Sequence, residues 1–183
     1  MSLISPFKRL HDISLFVMQC RSRNQIAAYL SGVFSPFGDP AGSGIVRLDS
    51  EGVISFVFRY GLSDSIPHTP DFNIASDYSV AVALSTFEIQ MVRMSTIKQD
   101  YQDVDTYMEE SVDYLTAVNI PVTPDLLYCF AFTTDIFKMK DFLDYSYCIQ
   151  SMLVFWESLK EKRQNEIQKN FLHKENKLTA RQE

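Results

Sequence analysis

Apolar residues near the end of the chain recur at alternating intervals of three and four positions. They are Phe142, Tyr145, Ile149, Met152, Trp156 and Leu159. This spacing is typical of one continuous helix, and it predicts a helix from about Lys140 to Lys177. Cys148, Leu153 and Phe155 widen the stripe. We therefore expect this helix to contact its own domain on one side and another helix on the other.

The first part of the chain predicts two shorter amphipathic helices. Ser5 and Pro6 are typical of a helix start, and the apolar spacing that follows extends to about Cys20. Ser22 and Gln25 have the spacing of a capping box, which begins a second helix. The buried face of this second helix is predicted to contain Ile26, Tyr29, Leu30 and Val33.

The middle of the chain predicts strands separated by helices. GIVRLD (44–49) and VISFVFRYG (53–61) form a predicted hairpin, with Gly52 in its turn. Within the second strand, every other residue is large and apolar, so these side chains are expected to face the core: Ile54, Phe56, Phe58 and Tyr60. A short helix to 84, a strand at 88–93, a helix at 104–115 and strands at 115–122 and 125–133 follow. Short antiparallel strands between helices predict an α+β fold with a central sheet.

Composition and charge exclude several classes of protein. The 183 residues are 46% hydrophobic and fit one domain plus an extension. A formal net charge of −6 argues against nucleic-acid binding by this chain itself, because phosphate binding needs clustered Lys and Arg. No apolar run is long enough to span a membrane. The N-terminus does not resemble a signal peptide, so we expect a cytoplasmic protein.

Cysteine and histidine spacing gives little support to a metal or catalytic site. Cys20, Cys129 and Cys148 lack CxxC spacing, which favours a reducing compartment. A buried free cysteine is more often a small hydrophobic residue than a redox sensor or nucleophile. The histidines are far apart in the sequence: His11, His68 and His173. We expect no metal, no cofactor and no enzymatic activity.

Several segments resemble the GAF domain, a module for small-molecule sensing and dimerisation. The segments are FRYGLSDS (58–65), SDYSVAVALSTFEIQMV (76–92), VNIPV (118–122) and LLYCFAF (126–132). The resemblance covers about residues 6–162 and implies a GAF-like central antiparallel sheet flanked by helices, with a long C-terminal exit helix. Thr123-Pro124-Asp125 replaces the glycines that usually flank the last hairpin, and no NKFDE-type signature supports cyclic-nucleotide binding.

The last six residues, LTARQE (178–183), resemble the opening of LuxR-type helix-turn-helix domains. Thr179 and Gln182 also have capping-box spacing, which predicts the start of a new helix. We therefore divide the chain into a GAF-like sensor and dimerisation domain (1–160), a helical linker (161–177) and the first residues of a DNA-binding domain (178–183). DNA would be bound only through that C-terminal domain.

The GAF resemblance also implies a ligand site. The strand end, loop and short helix that cover the cavity of GAF domains correspond here to Tyr60, Phe72, Tyr78, Met91 and Tyr101. Tyrosine combines an apolar ring with a polar tip, which suits a pocket for a small organic ligand. Arg93 could pair with a ligand anion. The alternative for each of these residues is ordinary core packing.

The sequence therefore predicts the regulatory domain of a LuxR-type transcription regulator, with an unknown small-molecule ligand. One alternative is an interaction and dimerisation module without a ligand, and another is a cysteine-dependent reductase of the GAF type. We also predict a parallel homodimer through the terminal helix, using Ile149, Met152, Phe155, Trp156 and Leu159. Its two C-terminal ends would then lie together, as two-fold-related DNA half-sites require.

Overall fold

The computed structural model of the chain describes residues 6–38, 40–61, 79–93 and 114–179. Four α-helices are present in these ranges: α1 (Leu10–Gln19), α2 (Arg23–Val33), α3 (Ser79–Thr86) and α4 (Phe142–Thr179). Short 3-10 turns occupy Pro6–Arg9, Ser35–Phe37 and Ile136–Lys138. The five strands are β1 (Pro40–Leu48), β2 (Ile54–Tyr60), β3 (Gln90–Arg93), β4 (Thr116–Thr123) and β5 (Leu126–Phe132).

The five strands form one antiparallel sheet in the order β2-β1-β5-β4-β3. Helices α1, α2 and α4 cover one face of this sheet, which we call the helical face. Helix α3 packs on the opposite face, the α3 face, over β3, β4 and β5. The predicted α+β architecture is therefore confirmed. No helix in the described ranges is both long and apolar enough to cross a membrane.

Local chemistry determines where α2 and the first hairpin begin and end. The Ser22 side chain accepts a hydrogen bond from the Gln25 N–H at 3.3 Å, so the predicted cap of α2 is present. In the hairpin turn, the Asp49 carboxylate accepts from the backbone N–H groups of Glu51 and Val53. Gly52 has a φ of 84°, a conformation that glycine adopts without a steric penalty.

The hairpin differs from its prediction at one residue. Ile45 pairs with Phe58 and the next residue, Val46, pairs with Phe56, so Val57 is an extra residue in β2. This β-bulge reverses the alternation of side chains. Ile54 and Phe56 pack on the α3 face, whereas Phe58 packs on the helical face. The prediction that all four large apolar residues of β2 share one face is wrong for this reason.

The core of the helical face is rich in aromatic rings. Phe34 lies between 4.9 and 5.9 Å, centroid to centroid, from the rings of Phe130, Phe132, Phe142 and Tyr145. The Tyr145 hydroxyl, at the start of α4, donates to the Val33 carbonyl at 3.1 Å. Aromatic pairs of this kind add about 0.5–1.5 kcal/mol each beyond the area that they bury. This cluster fixes the first turns of α4 against α2 and the sheet.

Helix α4 is continuous, as the apolar stripe predicted, and runs on beyond the domain. Its residues 161–169 are exposed. The helix includes Thr179, which was expected to begin a new helix. Residues 180–183 lie outside the described part of the chain, so the start of a new helix at this point stays a prediction.

Two glycines give a matched test of this packing. A methyl group at Gly44 in β1 would lie 2.8 Å from the Phe56 ring and 3.0 Å from the Cys129 sulfur, whereas a methyl group at Gly32 in α2 would meet no atom within 4 Å. We expect Gly44→Ala to lower the free energy of unfolding by about 1–3 kcal/mol through overpacking. We expect Gly32→Ala to raise it by about 0.5–1 kcal/mol, because alanine favours the helix. Urea denaturation measures both, and equal effects of the two substitutions would contradict this packing.

Candidate functional site

The α3 face carries a small apolar cluster that is separate from the main core. Its buried members are Val46, Ile54, Ala81, Ala83, Leu84 and Leu127. Alanines at two positions of α3 allow this helix to lie close to the sheet. Asn119 of β4 donates a hydrogen bond from its side-chain nitrogen to the Ser79 hydroxyl at 3.0 Å, which fixes the start of α3.

Cys129 lies on the central strand β5 and on the α3 face, and its sulfur and the Phe56 ring flank Gly44 of β1. Burial raises the pKa of its thiol to about 12, so the thiol is protonated at neutral pH. Burial also raises the pKa of Cys20. Because the thiolate is the nucleophilic form, neither environment activates a cysteine. Among the described residues, no three His, Cys, Asp or Glu side chains are grouped as metal ligands would be.

Three strands begin or end at the same end of the sheet, although they are spread across its width. The end of β2 (Tyr60), the start of β4 (Thr116) and the end of β3 (Arg93) all lie there, as the strand register shows. The Tyr114 hydroxyl donates to the Gly61 carbonyl at 3.3 Å and so connects two chain segments that enter or leave the sheet at this end.

The structure describes three of the six predicted ligand-binding residues. Tyr60 lies on the edge strand β2, and Met91 and Arg93 lie on β3 at the opposite edge. Met91 packs against the core of the helical face, and Tyr60 is paired with Ser43, whose hydroxyl contacts α2. These three residues are therefore neither adjacent nor on the α3 face. Phe72, Tyr78 and Tyr101 lie outside the described residues.

Arg93 already has partners within the protein. Its guanidinium lies 3.5 Å from the Asp135 carboxylate and 4.5 Å from the centroid of the Phe137 ring. These contacts attach β3 to the turn that follows β5. They give Arg93 a structural role that needs no ligand anion.

Helix α4 is attached to the α1–α2 junction at two consecutive residues. The indole nitrogen of Trp156 donates to the Cys20 carbonyl at 3.2 Å. The Glu157 carboxylate accepts two hydrogen bonds from the Arg23 guanidinium, at 2.6 and 2.8 Å. We call this pair of contacts the exit clamp, because α4 leaves the domain within the next turn.

The Arg23–Glu157 pair is a bidentate contact in a mostly buried place. The Glu157 side chain is 8% exposed and that of Arg23 is 32% exposed. The hydrogen bonds that Arg23 donates to Glu157 are the main cause that raises the pKa of Arg23, and burial opposes this effect. A buried carboxylate without a partner is costly, so this pair fixes Glu157 to the first residue of α2.

Tyr128 of β5 lies beneath the exit clamp. Burial raises the pKa of its hydroxyl, and the negative charge of Glu157 adds to this effect. Within the described part of the chain, this hydroxyl has no hydrogen-bond partner. Neither Tyr128 nor the ion pair was singled out from the sequence, because Arg23 and Glu157 are 134 positions apart and no local pattern links them.

The predicted dimer residues divide into buried and exposed sets. Ile149 and Trp156 are 1% and 5% exposed and belong to the core of the subunit, so they are not surface residues. Met152 and Leu159 are half-buried, and Phe155 is 56% exposed. The prediction that Ile149 and Trp156 form part of a dimer interface is therefore wrong. The apolar stripe is wide because α4 contacts α1, α2 and the sheet of its own subunit.

A different face of α4 carries exposed apolar side chains. Leu143, Tyr147 and Phe155 are exposed there, and Phe87 is exposed beside them. A depression of about 420 Å³ lies between Phe87 and α4, and Ser151 and Ser158 contribute to its lining. Phe87 has a φ of 58°, a left-handed conformation that is unfavourable for an aromatic residue. We call this surface the outer face of α4.

Comparison with known proteins identifies the fold. No family model matches the chain, and no curated protein matches it in sequence. Among solved structures, the GAF domain of nlh2 from A. aeolicus in an inactive state superposes with a TM-score of 0.62 at 9% identity, over 85% of this chain and 96% of that chain. The GAF domain of a phosphoenolpyruvate-protein phosphotransferase from Acinetobacter gives 0.62 at 12% identity, over 90% and 99%.

A third neighbour is an enzyme. Free methionine-R-sulfoxide reductase from Neisseria meningitidis, solved in complex with its substrate, gives a TM-score of 0.66 at 9% identity, over 89% of this chain and 94% of that chain. Identities this low establish a shared fold and no shared function. The chain therefore has the GAF-like fold that its sequence predicted.

The exit clamp can be tested by removing one partner or both. We expect Arg23→Ala to lower the free energy of unfolding by about 3 kcal/mol, the lower end of the range for a broken buried pair, because Arg23 is partly exposed. The double variant Arg23→Met with Glu157→Leu should recover most of this loss, since no unpaired charge stays buried. Urea denaturation of both proteins measures the difference. A double variant no more stable than Arg23→Ala would show that the pair itself carries the stability.

Proposed function

We propose that this chain is the regulatory domain of a LuxR-type transcription regulator and that α4 transmits the state of the domain to a DNA-binding domain. The observation that carries this proposal is the continuity of α4 from Phe142, in the aromatic core, to Thr179. The LTARQE segment (178–183), whose first two residues are the last two of α4, resembles a helix-turn-helix opening. Such a protein acts in the cytoplasm, where its DNA is.

The exit clamp supports transmission through α4. A ligand can change the output only if it binds one arrangement of the domain more tightly than another. Trp156 and Glu157 attach α4 to the α1–α2 junction at the point where the helix leaves the domain. Any rearrangement of α1 and α2 against the sheet must therefore move or strain the exit of α4.

The ligand of this domain is proposed from the fold alone. The Neisseria reductase, which was solved in complex with its substrate, has the same fold, so the fold can hold a ligand in that protein. In the described residues, the α3 face is packed, and Phe56 and Cys129 occupy the space beside Gly44. The described residues therefore support transmission and dimerisation more directly than they support ligand binding.

The reductase alternative has less support. Cys129 is half-buried, and desolvation raises the pKa of its thiol to about 12, whereas a catalytic cysteine needs a lowered pKa. The Arg93 guanidinium, which could have helped to hold an anionic substrate, pairs with Asp135. We propose that the chain is not an enzyme. Turnover of free methionine-R-sulfoxide by the purified protein, lost in Cys129→Ser, would overturn this part of the proposal.

We also propose a parallel homodimer, formed by the outer face of α4. Tyr147, Ser151, Val154 and Ser158 are spaced by four, three and four positions along this face. That spacing is the seam of a two-stranded coiled coil, and the serines let two helices approach closely. Fully burying one large apolar side chain contributes about 1.5–3 kcal/mol, and Phe87, Tyr147 and Phe155 are about half exposed, so burying them in each subunit favours a dimer against the entropy lost on association.

The helical phase of α4 tests transmission. We would join residues 1–183 to the DNA-binding domain of a LuxR-type regulator and insert alanines between Lys169 and Asn170. Two alanines rotate the following segment by about 200°, and seven rotate it by about 700°, close to two whole turns. We expect the two-residue insertion to reduce promoter control by about fivefold or more, the scale of an allosteric coupling, and the seven-residue insertion to preserve it. Equal control with both insertions would show that α4 is only a tether.

Sedimentation of the 183-residue chain tests the dimer. We expect Phe155→Glu to dissociate the dimer, because it places a charge in an apolar interface, and Phe87→Asn to weaken it while relieving backbone strain. Val57→Glu is the control, since Val57 is 53% exposed and lies on β2, away from α4. A wild-type chain that is monomeric at tens of micromolar would refute this interface. A dimer that both Phe155→Glu and Phe87→Asn leave unchanged would also refute it.

A further inference from the structure

A groove opens where α1 ends and α4 continues, and we call it the exit groove. It has a volume of about 350 Å³ and lies between the end of α1 and the first turns of α4 outside the domain. Its apolar lining consists of Met18, Trp156, Leu159 and Ile167. Ile167 is 62% exposed, although it continues the stripe that α4 buries against the domain. The face of α4 that packs against its own domain therefore continues beyond the part that the domain covers.

The charged residues of the exit groove are all basic. Arg21, Lys160 and Arg163 line it, and no carboxylate is among its lining residues. The Lys160 ammonium lies 5.3 Å from the Trp156 ring. In the described part of the chain, no carboxylate is within ion-pair distance of Arg21 or Arg163. The chain as a whole has a formal net charge of −6, so the lining of the exit groove is basic although the chain is acidic.

We propose that the exit groove binds an acidic amphipathic helix of another protein. From Trp156 to Ile167 the groove is about 16 Å long, the length of three helical turns. The apolar floor fits residues at the i, i+3, i+4 and i+7 positions of such a helix, and the three basic side chains at the rim fit carboxylates on its flanks. The floor includes Trp156 of the exit clamp, so an occupant would contact the residue that fixes α4.

The exit groove and the proposed dimer surface can be occupied together. Tyr147 of the outer face and Trp156 of the groove are nine residues apart, which places them about 180° from each other around α4. A partner in the groove would therefore approach the side of α4 opposite the second subunit. Binding in the exit groove requires neither the dimer nor a DNA-binding domain.

Fluorescence anisotropy of the 183-residue chain tests this inference with three labelled 14-residue probes. The first is an amphipathic peptide with leucines on one face and glutamates on its flanks, the second has lysines in place of the glutamates, and the third is a scrambled form of the first. We expect the first peptide to bind most tightly and its affinity to fall as salt is added. Equal binding of all three peptides would overturn the proposal.

A charge reversal with a matched control locates the binding. We expect Arg163→Glu to weaken the acidic peptide roughly fivefold, and Lys162→Glu, one position away on the exposed side of α4, to leave the affinity within about twofold. Ile167→Ser should also weaken binding of the acidic peptide, because it removes an apolar side chain from the floor of the groove. Equal losses of affinity for the acidic peptide in Arg163→Glu and Lys162→Glu would show that the peptide does not bind in the exit groove. A sedimentation coefficient that changes in Arg163→Glu, without any binding of the peptide, would assign the groove to a second copy of the chain and overturn the proposal.

Discussion

The position of α4 depends on burial of its inner face against α1, α2 and the sheet. Ile149, Leu153 and Trp156 contribute about 1.5–3 kcal/mol each when they leave water. That burial also carries the Glu157 carboxylate into a mostly buried place, where only a cation with good geometry can compensate its desolvation. Arg23 supplies this cation from the first turn of α2. The apolar stripe therefore determines that α4 packs here, and the ion pair restricts how α4 can rotate.

The two faces of the sheet differ in a way that suits separate roles. The helical face holds the large aromatic core and nearly all contacts to α4, and the α3 face holds a small cluster with glycine and alanine at its centre. β5 is common to both, because Tyr128 points towards the exit clamp and Cys129 points towards α3. If contacts on one face displace β5, the packing on the other face must therefore change as well, because packed interiors transmit strain.

Local signals in the sequence predicted most elements of the fold, and non-local contacts account for the errors. The Ser22 cap and the Asp49–Gly52 turn are fixed by residues within four positions, so their chemistry is visible in the sequence. The bulge at Val57 is not visible, because the alternation of apolar residues in β2 continues through it. Trp156 was assigned to an interface since a wide stripe fits both a second subunit and a deep core. Of the predicted ligand-binding residues, Tyr60 and Met91 lie at opposite edges of the sheet, and Phe72, Tyr78 and Tyr101 lie outside the described residues, so the ligand site stays a prediction.

The exit clamp also limits which motion of α4 can carry a signal. Rotation of α4 by one residue, about 100°, would withdraw Glu157 from Arg23 and Trp156 from the Cys20 carbonyl. Breaking a buried ion pair costs about 3–5 kcal/mol, whereas the coupling between two sites in a protein is typically about 1–3 kcal/mol. A ligand of ordinary selectivity could not drive that rotation. We therefore expect α4 to keep its phase and to move together with the α1–α2 junction. The signal would then be a change of tilt or of helix pairing across the outer face.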